Sequence, residues 1–248
     1  MTEFKRYTVL DILRGMSVIS MIVFHAVWDI VNIFGVRVEW FDSPLAFVWQ
    51  QSILWGFVLL SGFCWSLGKK KIKRLLVVLA ASVVISAFTA FFMPENIILF
   101  GVLTFLGTAM LLTAATDRIF KKINPYIGVF CCAVLFLFTF SIGERAVGIG
   151  DIRLFSLPDW LYRNYFTAYL GFAPNEFFSV DYVPVFPWIF LFWFGYFLYH
   201  IFKTNGFLKY LSFLRVKPME YIGRNSLIIY IIHQPLVYAL LYVWFKVL

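Results

Sequence analysis

Seven stretches of this chain are apolar over about the twenty residues that a helix needs to cross a hydrocarbon layer. They run over roughly 9–34, 44–67, 75–93, 97–115, 125–142, 183–202 and 226–247. Hydrophobic residues make up 62% of the chain and charged residues 14%, whereas a soluble domain carries about a quarter charged residues to wet its surface. The mean hydropathy is +0.86. Most of the surface must therefore face something other than water. The chain reads as an all-α polytopic membrane bundle of about seven transmembrane helices with the lipid bilayer as its first partner. The 9 Trp and 13 Tyr suit rings placed at both membrane interfaces.

The connections between these stretches carry an orientation. Lys5 and Arg6, then Lys69, Lys70, Lys71, Lys73 and Arg74, then Arg118, Lys121 and Lys122, then Lys203, Lys209, Arg215, Lys217 and Arg224 all fall on one side. The other side holds Arg37, Arg145, Arg153, Arg163 and Lys246, and Arg14 lies inside the first stretch. Cytoplasmic loops carry the Lys/Arg excess, so the N-terminus is expected inside and the C-terminus outside. Glu39, Asp42, Glu95, Glu144, Asp151, Asp159, Glu176 and Asp181 then lie on the outer side. The formal charge of +8 is thus set by topology, which argues against a nucleic-acid partner. The first apolar run lacks a small-residue cleavage site and reads as a retained helix rather than a signal peptide. The chain is read as a single domain over 1–248 with one long outer loop at 143–182. Loops of that length usually contain structure of their own, and 157–172, with Trp160, Tyr162, Tyr165 and Tyr169 beside Asp159 and Arg163, suits a short interfacial helix.

Ionisable groups inside a membrane helix are costly and face a protein interior or a wet cavity. The first stretch has four: Asp11, Arg14, His25 and Asp29. At about 100° per residue, Arg14 lies about 60° from Asp11, His25 about 40° from it and Asp29 nearly in line. One stripe therefore holds all four, and Asn32 extends it. Asp11 and Arg14 lie near the cytoplasmic end, with His25 about 16 Å beyond Arg14. His25 and Asp29, spaced i, i+4, can meet on the helix surface. A carboxylate beside an imidazole fixes its tautomer and suits it to serve as a general base. Asp11 and Arg14 can pair in the same way.

The last stretch carries a second cluster. Ser226, Tyr230 and His233 share a stripe, followed by Gln234 and Pro235, with His233 about 12 Å in from Asn225. Pro235 removes a backbone donor and frees a carbonyl one turn earlier, which opens a polar site. Cys64, Cys131 and Cys132 lie in apolar runs and read as packing residues. There is no phosphate-binding glycine loop, no Cys/His metal spacing and no HExxH. The three histidines are far apart in sequence, so no metal centre is expected.

These residues also carry a family likeness. Leu10-Asp11-Ile12-Leu13-Arg14-Gly15, then Met21 and Phe24-His25, resembles the opening helix of membrane acyltransferases, and the Arg14-to-His25 interval resembles the hallmark of the acyltransferase-3 group. The closer resemblance is to small bacterial relatives of heparan-alpha-glucosaminide N-acetyltransferase, in which the first helix continues to an aspartate, as at Trp28-Asp29. Ser61-Gly62, Phe100-Gly101-Val102-Leu103, Asp181-Tyr182-Val183-Pro184-Val185-Phe186-Pro187-Trp188, and Gly223-Arg224-Asn225-Ser226-Leu227 through Tyr230, His233, Gln234 and Pro235 are similar to that family too. The resemblance implies acyl transfer across a bacterial cytoplasmic membrane. Acetyl-CoA or another acyl-CoA is held from the cytoplasmic side, and a sugar, glycan or other cell-envelope acceptor is met nearer the outer face. It implies His25 as the base or transient acyl carrier with Asp29 orienting it. Arg14, Asp11, Ser226, Tyr230 and His233 are implied at the cofactor, and Asp181 and Trp188 at the acceptor. A homodimer is one assembly open to such a chain.

Two other readings use the same polar stripe. A transporter or flippase would carry a proton or solute along it, although such folds usually show internal repeats and none is visible. A membrane scaffold without activity would tolerate apolar residues at His25 and Asp29.

Overall fold

The computed structural model describes residues 6–149 and 152–246. Lys5 and Asp151, counted above among the sided charges, lie outside the described residues. The helices are α1 (Thr8–Asn32), α2 (Pro44–Trp65), α3 (Lys71–Phe92), α4 (Val102–Phe120), α5 (Pro125–Thr139), α6 (Tyr165–Leu170), α7 (Trp188–Thr204), α8 (Lys217–Arg224) and α9 (Ser226–Lys246). Two short strands, β1 (Ala146–Ile149) and β2 (Ile152–Ser156), lie between α5 and α6.

Among the described residues, six helices are long and apolar enough to span a membrane by length and composition: α1, α2, α3, α4, α9, and α5 with the 3-10 turn that prolongs it to Glu144. Helices α2, α3 and α9 bury little of their surface in protein. Side chains such as Phe91, Phe130 and Leu240 are left bare, so these faces must be covered by lipid. The chain is an integral membrane protein.

The seventh expected span is a shorter helix than its apolar stretch. Residues 183–202 were expected to be one helix, but α7 begins only at Trp188. Pro184 and Pro187 disfavour helical backbone at Val183 and Phe186, so the segment before Trp188 is irregular. The 17 residues of α7 rise about 26 Å, at the short end of the range for a membrane-spanning helix. Trp188, Ile189, Phe192 and Tyr196 are all buried in protein.

The chain folds as two compact units, Met1–Leu60 with Lys203–Leu248, and Ser61–Phe202. In the first, α1 packs on α8 and α9. Met21, Phe24 and Ile53 form a small core, closed by Ile22, Phe41, Trp49, Phe57 and Tyr230. Trp49 Nε1 donates to Ser20 Oγ at 2.7 Å, tying α2 to α1. The helix α8 lies in a connection that sequence pattern left as a loop. It approaches α1 so closely that a Cβ on Gly15 would fall 2.3 Å from the Met219 carbonyl oxygen, and one on Gly223 1.9 Å from that of Asp11. Thr8 Oγ1 donates to the Leu214 carbonyl at 2.5 Å and fastens the same junction.

In the second unit α7 is the central helix. Trp193 Nε1 donates to Thr113 Oγ1 at 3.0 Å and Tyr196 OH to Asp117 Oδ1 at 2.9 Å, both on α4. Lys121 pairs with the other oxygen of Asp117. The long loop does hold structure. Its antiparallel hairpin pairs Ala146 with Ser156 and Ile149 with Ile152. A 3-10 turn (Asp159–Tyr162) and α6 follow, within the 157–172 segment read as an interfacial helix. Asn164 caps α6 by accepting from Thr167 N at 2.9 Å, and Gly171 ends it at φ 125, a backbone that L side chains avoid. Arg145 donates to Asp159 Oδ1 and Asn175 Oδ1, each at 2.9 Å, and covers the Tyr162 ring. Tyr162 OH donates to the Ile142 carbonyl and Tyr182 OH to that of Ala168. Burial pushes both phenols above the ordinary tyrosine range, Tyr162 despite the opposing Arg145 charge, so both stay protonated donors.

Candidate functional site

The polar stripe of α1 faces protein, as the helical spacing requires. Asp11, Gly15, Val18 and Asp29 are buried, whereas Leu13, Met16 and Val23, on the other side of the helix, are exposed. Along this stripe the ionisable groups gather in two clusters within the first unit.

The first cluster lies at the start of α1. The buried Asp11 accepts from Arg6 Nε at 2.8 Å and from Arg14 at 3.1 Å, and Arg224 of α8 stands 3.8 Å away. Arg224 also donates to Glu220 Oε2 at 2.8 Å, while Glu220 Oε1 is buried without a hydrogen-bond partner. The Asp11–Arg14 pair expected from the i, i+3 spacing is present. Arg6, Glu220 and Arg224 are additions. The i, i+4 spacing of Glu220 and Arg224, just after Pro218, is the helical signature that could have found them. Three guanidiniums face two carboxylates, which leaves one positive charge in excess.

The second cluster lies farther along α1, where α9 crosses it. His25 Nδ1 is 2.6 Å from His233 Nε2, and the ring centroids are 4.9 Å apart. His233 Nδ1 is in turn 2.6 Å from the Tyr230 carbonyl oxygen. Asp29, 0% exposed, accepts from Gln234 Nε2 at 2.7 Å. Its second oxygen, Oδ2, and Gln234 Oε1 are both buried without a hydrogen-bond partner. The i, i+4 neighbours His25 and Asp29 do not bond each other as the spacing allowed. Each crosses to α9 instead, His25 to His233 and Asp29 to Gln234. Helix α9 runs through Pro235 unbroken. Tyr230 packs against the His233 ring with centroids 5.6 Å apart and belongs to the Met21–Phe24–Ile53 core. Ser226 opens α9, half-buried.

Such an arrangement can move a proton. Two imidazoles in hydrogen-bond contact can take up a proton and share the charge.

Asp181 and Trp188 belong to the second unit. Asp181 Oδ2 accepts from Val102 N at 3.2 Å and so caps α4, satisfying one of the donors that a helix N-terminus leaves open. Trp188 opens α7 and packs on Phe136 and Phe140, with ring centroids 5.7 and 6.3 Å away. Both have structural work at helix N-termini.

No match was found among curated proteins or among solved structures. A model of the family described as heparan-alpha-glucosaminide N-acetyltransferase, catalytic, matches residues 6–235, and so covers both polar clusters. The chain therefore belongs to the heparan-alpha-glucosaminide N-acetyltransferase catalytic family of membrane acetyltransferases, which use acetyl-CoA.

Proposed function

We propose that the chain, acting as one domain in a bacterial cytoplasmic membrane with its N-terminus inside, transfers acetyl from cytoplasmic acetyl-CoA to an amine or hydroxyl of a sugar or other cell-envelope acceptor. The observation that carries this reading is the partly buried His25–His233 contact on α1 and α9, found within the span that matches an acetyltransferase family. His25 is the base. It takes the proton of the acceptor as the acceptor attacks the thioester carbonyl, and returns it to the departing thiolate. Asp29, held by Gln234, lies one helical turn from that base and is suited to a ligand that brings N–H or O–H donors.

The arginine cluster around Asp11 supplies the other end of the donor site. Its excess positive charge suits the phosphates of CoA. Arg14 precedes His25 by eleven residues, about 16 Å along the helix, a distance of the order an extended pantetheine arm spans. Ser226 and Tyr230 lie along α9 between Arg224 of the first cluster and His233 of the second. Asp181 and Trp188 act for the acceptor, by the likeness of their segment to the family.

Purified protein in vesicles, given acetyl-CoA labelled in the acetyl group and a panel of amino sugars and sugar alcohols, tests this. Labelled product and free CoA are expected in equal amounts from wild type and neither from His25→Ala. Solute uptake that needs His25, with no acetylated product from any acceptor, would replace the reading with the transporter.

A further inference from the structure

A neutral imidazole carries one proton on two nitrogens, so which nitrogen of His25 is bare decides whether it can act as a base. The structure fixes this through a chain of contacts. The Tyr230 carbonyl only accepts, so His233 Nδ1, 2.6 Å from it, carries the proton. The neutral His233 ring then has a bare Nε2. His25 Nδ1, 2.6 Å from that bare nitrogen, must donate, which leaves Nε2 of His25 unprotonated. Were both rings charged, two N–H groups would face each other across this distance, which burial makes prohibitive.

Asp29 is the group that helical spacing would have assigned to this task. Its Oδ1 accepts from Gln234 instead, and it makes no hydrogen bond to His25.

We infer that His233, anchored by the Tyr230 carbonyl, is the positioning residue that sets the tautomer of His25 and keeps its Nε2 bare for the acceptor proton. The inference rests on the reading of His25 as the base. In the transfer step the acceptor nitrogen or oxygen forms a bond to the thioester carbon, and its proton passes to His25 Nε2. The C–S bond breaks, and the thiolate recovers that proton to leave as free CoA. While His25 is protonated, its Nδ1–H bond to His233 Nε2 spreads the charge over two rings. A carboxylate in the place of His233 would hold the imidazolium more tightly. A neutral imidazole orients the base and returns the proton readily.

The chain has only three histidines, His25, His200 and His233, so protein labelled with nitrogen-15 in histidine gives three ring systems. Long-range nitrogen–proton NMR spectra distinguish a protonated from a bare ring nitrogen, and single substitutions assign them. Wild type is expected to show His25 protonated at Nδ1 and bare at Nε2. His233→Phe is expected to lose that single tautomer. Its kcat should fall about 100-fold, with KM for acetyl-CoA nearly unchanged. His233→Gln, which keeps an acceptor oxygen near the position of Nε2, is expected to restore the tautomer and much of the rate. A wild-type His25 protonated at Nε2, or one whose tautomer ignores His233→Phe, overturns the inference. The expected spectrum in a protein that never acetylates any acceptor would overturn the acyltransferase reading instead. The wild-type spectrum decides the tautomer even if His233→Phe does not fold.

Discussion

The α1–α8 junction offers a quantitative test, because backbone meets backbone there with no side chain between. A Cβ on Gly223 would sit 1.9 Å from the Asp11 carbonyl oxygen and 2.8 Å from its carbon. A relaxed carbon–oxygen contact is about 3.3 Å, so Gly223→Ala must open the junction by about 1.4 Å from that 1.9 Å. Gly15→Ala must open it by about 1 Å, from 2.3 Å. No side-chain rotation relieves either contact, because the obstructing atoms belong to the helix backbone. The opening also stretches the Arg224–Asp11 pair, already at 3.8 Å, and exposes Asp11. Overpacking costs about 1–3 kcal/mol, and a backbone clash belongs at the upper end. About 3 kcal/mol corresponds to a fall in Tm of about 6–12 °C for a chain of this length. The assay is thermal unfolding of purified protein in detergent, with acetyl-CoA affinity measured on the same samples. Gly143→Ala, where an added Cβ meets nothing within 4 Å, is the control and should leave both unchanged. A Gly223→Ala protein with wild-type Tm and affinity would refute the packing argument and the donor site built on it.

Other substitutions test other parts of the account. Gln234→Leu removes the hydrogen bond to the fully buried Asp29 and should cost about 1–3 kcal/mol by thermal unfolding; Asp29→Asn made in the same background should recover part of that loss. Asp181→Asn keeps an oxygen to cap α4 but removes the charge. It should unfold like wild type, whereas Asp181→Ala should lose about 1 kcal/mol; a raised acceptor KM in Asp181→Asn alone would mark the charge as part of acceptor binding. Arg145→Ala removes the bonds to Asp159 and Asn175 and the cover over Tyr162, and limited proteolysis should then cut the 143–182 loop faster with little change in Tm.

Sequence made the long helices legible because membrane-crossing segments must be mainly apolar for about twenty residues. It placed Asp11, Arg14, His25 and Asp29 on one protein-facing stripe because helical geometry alone decides that. It did not show their partners. His25 meets His233 across 208 positions, and nothing local records which side chains of α9 face which of α1. The i, i+4 rule therefore suggested Asp29 as the partner of His25. The helix α8 was invisible to hydropathy because Lys217–Arg224 is polar on average, and two close glycine contacts hold it against α1. The helix within 183–202 is shorter than its apolar composition suggests, because Pro184 and Pro187 delay it to Trp188. The hairpin escaped notice because its strands have only four and five residues, too few for an alternating pattern to stand out.

The central claim is that this chain binds acetyl-CoA and that His25 carries out the chemistry. Measuring acetyl-CoA binding and acetyl transfer side by side, on purified wild type and His25→Ala, tests it most directly. The expected result is saturable binding of similar affinity by both proteins, with transfer by wild type alone. Well-folded wild type that binds no acetyl-CoA, or a His25→Ala protein that still transfers acetyl at the wild-type rate, would contradict it.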